Sequence, residues 1–186
     1  MAKLIYIANV SIDGFVEDEN GSIEWSAPDD EQFTFVTDLV RPAGTYLYGR
    51  RMYETMTVWE TDPTLAAESK LMADFADIWQ AADKIVYSTT LDTPSTTKTR
   101  IERDFDPDSV RVLKTAAVHD LDIGGANLAA QAFKAGVIDE CHVFIYPLLV
   151  GRGKPAFSSE VRATLELFDE RRFDNGIVYA GYRIKR

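Results

Sequence analysis

The sequence predicts an α/β fold: a mostly parallel sheet, covered by helices on both faces and finished by an antiparallel C-terminal hairpin. Three observations carry that expectation. Runs of β-branched and aromatic residues alternate with segments of helical periodicity along most of the chain, the pattern of βαβ units. The strand-like runs at residues 84–88 and 139–147 are largely apolar rather than alternating, as strands buried on both faces are. Near the end, Asp174-Asn175-Gly176 separates two alternating runs within residues 165–184, a hairpin signal.

The elements follow in order. Residues 3–10 (KLIYIANV) read as a buried first strand, and residues 11–20 as a polar loop punctuated by Gly14. Pro28 opens a helix reaching about Val40, with Asp29, Asp30 and Glu31 in its first turn, where the positive end of the helix dipole suits carboxylates. Pro42 and Gly44 stop it. A second strand covers 45–48, and Gly49 leads into a short helix over 50–56. Residues 62–64 read as a turn. Residues 66–82 predict one amphipathic helix, with Leu71, Phe75, Ile78 and Trp79 at helical spacing. Strands are expected at 84–88, 99–105 and 119–123, with a helix at 106–114 capped near Pro107. Gly124-Gly125 leads into a helix over 127–135, stopped by Gly136, before the long apolar strand at 139–147. No repeat, low-complexity tract or linker interrupts the chain, so residues 1–186 are expected to form one domain.

Composition narrows the function classes. The chain is 46 % hydrophobic and 11 % aromatic, which excludes a disordered protein. No apolar run of about 18 residues is present, so no membrane span is expected. The first ten residues read as a strand rather than a secretion signal. Cys141 is the single cysteine and cannot form an internal disulfide, so a cytoplasmic location is the simplest inference. The 20 basic and 30 acidic residues give a net charge of −10, which disfavours nucleic acid and anionic membranes as partners. A small phosphate-bearing ligand stays open, because local amides and arginines can outweigh distant charge.

Three junctions share one geometry, a strand ending just before a loop or helix. They are Gly49-Arg50-Arg51, Ser88-Thr89-Thr90 and Gly124-Gly125-Ala126-Asn127. In open α/β sheets ligands lie at the carboxyl ends of strands. Glycines there admit a phosphate close to backbone amides, and a helix N-terminus favours its charge. The arginines offer forked donors and the hydroxyls further hydrogen bonds. Taken singly, a strand–helix turn accounts for Gly49, and tight packing for Gly124-Gly125, equally well. No GxGxxG fingerprint is present. His119, His142 and Cys141 lie apart without the spacing of a metal site, and no GxSxG elbow is found. The difficult chemistry is therefore expected from a soluble cofactor. Asp13, Asp29 and Asp30 are the acid candidates; a turn residue for Asp13 and helix-dipole complements for Asp29 and Asp30 are their plain alternatives.

Together these motifs resemble the dihydrofolate reductase-like superfamily, and most closely the reductase domain of riboflavin-pathway deaminase-reductases. Ser11-Ile12-Asp13-Gly14 resembles that domain's S-[LI]-D-G loop. Gly49-Arg50-Arg51-Met52-Tyr53-Glu54 resembles the G-R-x-[TM]-[WY]-E segment of dihydrofolate reductases, and Ile123-Gly124-Gly125 their shared I-G-G loop. The most specific block is Asp139-Glu140 followed by Pro147, Gly151, Gly153, Pro155 and Phe157, similar to D-E…P-x-x-x-G-x-G-x-P-x-F of the riboflavin-type reductases. The resemblance implies a three-layer α/β/α fold and an NADPH-dependent reductase acting on a pterin- or aminopyrimidine-type small molecule, in the manner of a 5-amino-6-(5-phosphoribosylamino)uracil reductase. It places the cofactor phosphates at Gly49, Arg50 and Arg51. The adenosine side falls at Ser88, Thr89 and Thr90, and the pyrophosphate at Gly124, Gly125, Ala126 and Asn127. It also implies a homodimer, with the strand at 139–149 and the tail hairpin as candidate surfaces. The zinc deaminase domain of the bifunctional enzymes is not represented in the sequence, so reduction alone is expected. Trp25-Ser26-Ala27-Pro28-Asp29-Asp30 resembles the W-x-x-P-x-[DE] segment of dihydrofolate reductases and puts Asp30 at the position of their substrate-binding acid. Riboflavin-type reductases generally do without that acid, so the substrate stays open between the two branches.

Overall fold

A computed structural model describes residues 1–185. Eight strands form one sheet in the order β5-β4-β3-β6-β1-β7-β10-β9. They are β1 (Leu4–Ser11), β3 (Ala43–Gly49), β4 (Asp83–Tyr87), β5 (Thr99–Glu102), β6 (Asp120–Gly124), β7 (Glu140–Tyr146), β9 (Thr164–Arg172) and β10 (Val178–Lys185). Neighbours from β5 through to β7 pair in parallel, and β10 pairs antiparallel with both β7 and β9. The expected mostly parallel sheet with an antiparallel hairpin is what forms.

Alternation along the strands builds three layers. One face carries Leu4, Tyr6, Leu47 and Ile123 under α6 (Pro107–Ala116) and α7 (Ala126–Lys134). The other carries Tyr46, Tyr48, Val86 and Phe144 under α1 (Asp30–Val40) and α5 (Lys70–Ala81). Trp79 of α5 is fully buried there, and its indole N–H donates to the Tyr48 hydroxyl at 3.2 Å. Losing a buried aromatic of that size costs about 3–5 kcal/mol.

Several local expectations shift. The single helix expected at 66–82 is two, α4 (Pro63–Ala67) and α5. The break has a local cause: Asp62 caps α4 through the Thr64 amide, and Ser69 caps α5 through the Met72 amide, each satisfying an orphan N–H. Helix α1 begins at Asp30 because Asp29 is its cap, accepting from the Gln32 amide at 2.9 Å. The loop at 11–20 contains a strand, β2 (Phe15–Asp18), paired with β8 (Gly153–Pro155). Two short helical turns complete the β3–β4 connection, α2 (Arg50–Met56) and α3 (Val58–Thr61). No helix among the described residues is long and apolar enough to cross a membrane.

Neighbouring strands β3 and β6 send the chain to opposite faces. After Gly49, helix α2 packs with the α5 layer through Met52 and Tyr53; after Gly125, α7 packs with the α6 layer through Leu128 and Ala129. A crevice opens where such connections part.

Candidate functional site

That crevice is a groove of about 500 Å³. Gly49, Arg50 and Arg51 reach it from the end of β3, and Ser88, Thr89 and Thr90 from the loop after β4. Gly125, Ala126 and Asn127 reach it from the start of α7. Gly124 sits just behind the lining. A side-chain carbon there would meet the Tyr48 ring at 2.8 Å and Met52 Cγ at 2.9 Å, so close packing demands this glycine.

Two of the three junctions, distant in sequence, meet directly, and the third lines the same groove. A Cβ on Gly125 would stand 3.7 Å from the Gly49 amide nitrogen. Gly125 has φ +103°, a conformation that glycine adopts without strain. It precedes α7 with no side-chain cap, and Gly49 precedes α2 likewise. The first amides of both helices therefore lack intrahelical partners at the groove.

The charge of the groove opposes that of the chain. Arg50, Arg51, Arg103 and Lys154 line it against one carboxylate, Asp104, on a chain of net charge −10. Glu17 of β2 holds Arg51 at 3.2 Å and Lys154 at 3.8 Å, tying the β2–β8 pair to α2. Arg103 shapes the opposite wall by donating to the carbonyls of Ser88 and Leu91 at 2.9 and 2.8 Å. The Ser88 hydroxyl accepts from the amides of Thr90 and Leu91. Ser88 thus folds the loop, while Thr89 and Thr90 stand exposed.

Beside the groove, on the face that carries α1 and α5, the sheet is incompletely covered. Ile7 and Asn9 belong to a central strand yet are only half-buried. The turn at Glu24–Ser26 closes over this end, its Ser26 carbonyl accepting from Asn9 Nδ2 (3.4 Å) and the Tyr146 hydroxyl (2.8 Å). Phe33 of α1 stacks on Trp59 of α3 with centroids 5.8 Å apart. Asp30, one turn before Phe33, lies towards the flank of α1 that meets α3. It is exposed, and its carboxylate has no hydrogen bond or ion pair among the described residues.

Asp13 is elsewhere. Its carboxylate accepts from the amides of Val150 (3.1 Å) and Gly151 (2.7 Å). The Ser11 side chain and these amides hold it below the ordinary carboxylate range. The structure thus brings the three sequence-predicted junctions to one groove, leaves Asp30 at the α1 N-terminus, and has Asp13 join two loops. A second depression, about 600 Å³ at the far end of α1, is lined by Arg41 and Asp74, which already pair at 2.7 Å.

Sequence reasoning missed Arg103 and Lys154, which line the groove, and the burial of Asp122 inside the sheet. Arg103 and Lys154 carry no local motif and reach the groove only through tertiary folding. Asp122 alternates with Leu121 and Ile123 in a strand that also begins with Asp120, so the sequence alone does not mark it as buried.

Comparison with known proteins places this geometry in a family. The RibD C-terminal domain matches residues 2–179. Uncharacterized protein YyaP of Bacillus subtilis (strain 168) is 28 % identical over 191 residues, covering 97 % of this chain and 94 % of that protein. A putative riboflavin biosynthesis protein from Shewanella sp. PV-4 superimposes with a TM-score of 0.75 at 20 % identity over the full length of both chains. The deaminase/5-amino-6-(5-phosphoribosylamino)uracil reductase of Thermotoga maritima superimposes with a TM-score of 0.66 at 14 % identity, over 99 % of this chain and 57 % of that one. These likenesses show the dihydrofolate reductase-like fold. With its matched stretch running from β1 into β10, the chain belongs to the RibD C-terminal domain family.

Proposed function

We propose that this protein is an NADPH-dependent reductase of the riboflavin-biosynthesis type, transferring a hydride to a pterin- or aminopyrimidine-type small molecule. The single observation that carries the reading is the meeting of Gly49, Thr89 and Gly125 at one cation-lined groove. A dinucleotide fits these residues. Uncapped amides at Gly125–Ala126 suit a pyrophosphate, while Arg50, Thr89 and Thr90 suit the further phosphate that distinguishes NADPH from NADH. When bound, the cofactor supplies the hydride. The chain's own residues orient it: Arg103 fixes the loop bearing Thr89 and Thr90, and Gly124 lets α2 and α7 approach. Asp30 and the half-open Ile7–Asn9 floor then hold the substrate ring beside the groove, so rate comes from positioning. Asp13, by pinning Val150 and Gly151, keeps the β7–β8 loop closed over that end.

The chain pairs as a homodimer in this reading. Leu165 and Leu167 of β9 are 40 % and 50 % exposed and lie opposite Ile184 and Tyr182 of β10, an apolar sheet face at the edge. Sedimentation of Leu167→Glu should show monomer where the wild type shows dimer.

NADPH fluorescence titration, followed by oxidation assays with dihydrofolate and with the riboflavin-pathway aminouracil, tests the function. Binding with oxidation by the aminouracil supports the reading. Oxidation by dihydrofolate alone moves the assignment to a pterin reductase. Binding without oxidation of either marks a nucleotide-binding module.

A further inference from the structure

We infer that Asp122 is the proton donor of this site, delivering its carboxyl proton to the substrate atom adjoining the carbon that receives the hydride. The inference rests on the reductase reading above and names a residue for its proton step.

Position is the first argument. Asp122 lies on β6, between β1 and β3, in register with Ile5 on one side and Tyr46 on the other. A carboxyl in the middle of an eight-stranded sheet is costly unless paired. Asp122 has no hydrogen bond or ion pair among the described residues. The titratable groups that face it are Tyr46 and Tyr48 of β3, with Tyr6 of β1 on the opposite face of the sheet. No lysine, arginine or histidine among the described residues pairs with it, and burial is the sole cause that moves its pKa. A structural acid would have a partner here; this one has none.

Access is the second. Side chains two apart along a strand share a face, so Asp122 lies on the face of Ile5, Ile7 and Asn9. Ile7 and Asn9 are half-open. Asp122 itself keeps 9 % of its surface open, and its oxygens are not sealed off as the Tyr46 hydroxyl is. Gly124 follows two residues on, about 7 Å along the strand, and bears no side chain to wall Asp122 from the groove. The carboxyl therefore lies one strand position deeper than the half-covered Ile7 and Asn9, and two residues before Gly124 at the end of β6.

Chemistry is the third. Burial pushes the Asp122 carboxyl up to about 7, so it can both hold and release a proton near neutrality. The step balances. A bound reduced nicotinamide would supply the hydride to the carbon of a substrate C=N bond; as the π electrons moved to nitrogen, that nitrogen would take the proton from Asp122. The carboxylate left behind regains a proton from water.

The test combines a titration that needs no turnover with one that does. In protein labelled with ¹³C at aspartate carboxyls, the assigned Asp122 signal should titrate near pH 7; a midpoint near 4 overturns the inference. Asp122→Asn should keep NADPH affinity within twofold and lower single-turnover NADPH oxidation about a hundredfold or more. It should also remove the decline in rate above neutral pH. An unchanged rate in folded Asp122→Asn overturns the assignment and leaves the reductase reading standing. Failure of the wild type to bind NADPH overturns both.

Discussion

Replacing Asp122 by Asn should reshape the dependence of stability on pH, whatever the residue does in catalysis. The folded-state carboxyl titrates at about 7 and its ordinary value is 3.8. Between those values the unfolded chain releases this proton while the folded chain keeps it. Stability therefore falls as pH rises through the interval, by about 1.4 kcal/mol per pH unit. The contribution is fully present below pH 3.8 and lost by about pH 7, a total of about 4 kcal/mol. Asn cannot titrate, so the stability of Asp122→Asn relative to wild type should rise by that amount between pH 4 and 7 and then level off. A comparison is needed because His142 acts oppositely. Burial lowers its pKa from 6.5, so its contribution is lost as pH falls below that value. Urea unfolding of both proteins at several pH values, followed by the fluorescence of buried Trp79, measures the difference. A difference that stays constant from pH 4 to 8 refutes the placement of an unpaired acid in the sheet.

Arg50→Ala should weaken NADPH binding about tenfold or more, the worth of one charge-assisted contact, read by fluorescence titration and lessened at high salt. The double substitution Thr89→Ala, Thr90→Ala should cut NADPH affinity while leaving NADH affinity unchanged, because only the former carries the extra phosphate. Gly124→Ala should cost about 1–3 kcal/mol by overpacking, since Tyr48 and Met52 leave no room; thermal unfolding reports it. Asp13→Ala should hasten tryptic cleavage after Arg152, because the amides of Val150 and Gly151 lose their acceptor.

What the sequence disclosed and what it withheld separate along physical lines. Strand–helix alternation reports burial period, a local property, so the parallel sheet, the Asp174-Asn175-Gly176 hairpin and the glycine junctions were legible. Pairing between distant segments leaves little local trace. The β2–β8 ladder and the Asp13 clamp each join residues more than 130 positions apart, and a polar loop reading of 11–20 was the natural result. The split between α4 and α5 was legible in principle, because Ser69 and Asp62 are good caps. The amphipathic stripe from Leu71 to Trp79 outweighed them.

In its proposed role Asp122 would link the groove to the half-covered stretch of sheet at Ile7 and Asn9. Strand β6 ends where β3 and β6 part: Gly125, just beyond its end, faces the groove, and Gly124 stands between it and Asp122. A side chain at 124 would collide with Tyr48 and Met52 and would also stand between acid and cofactor. In the proposed mechanism one glycine would serve two ends, close packing of α2 and an open path for a proton. The two are separable by experiment: pairing Gly124→Ala with Met52→Ala removes one of the two close contacts, leaving the Tyr48 ring at 2.8 Å, and restores part of the stability. If the path matters, that double variant should stay slow in NADPH oxidation while binding the cofactor normally. Recovery of rate together with stability would reduce Gly124 to a packing residue.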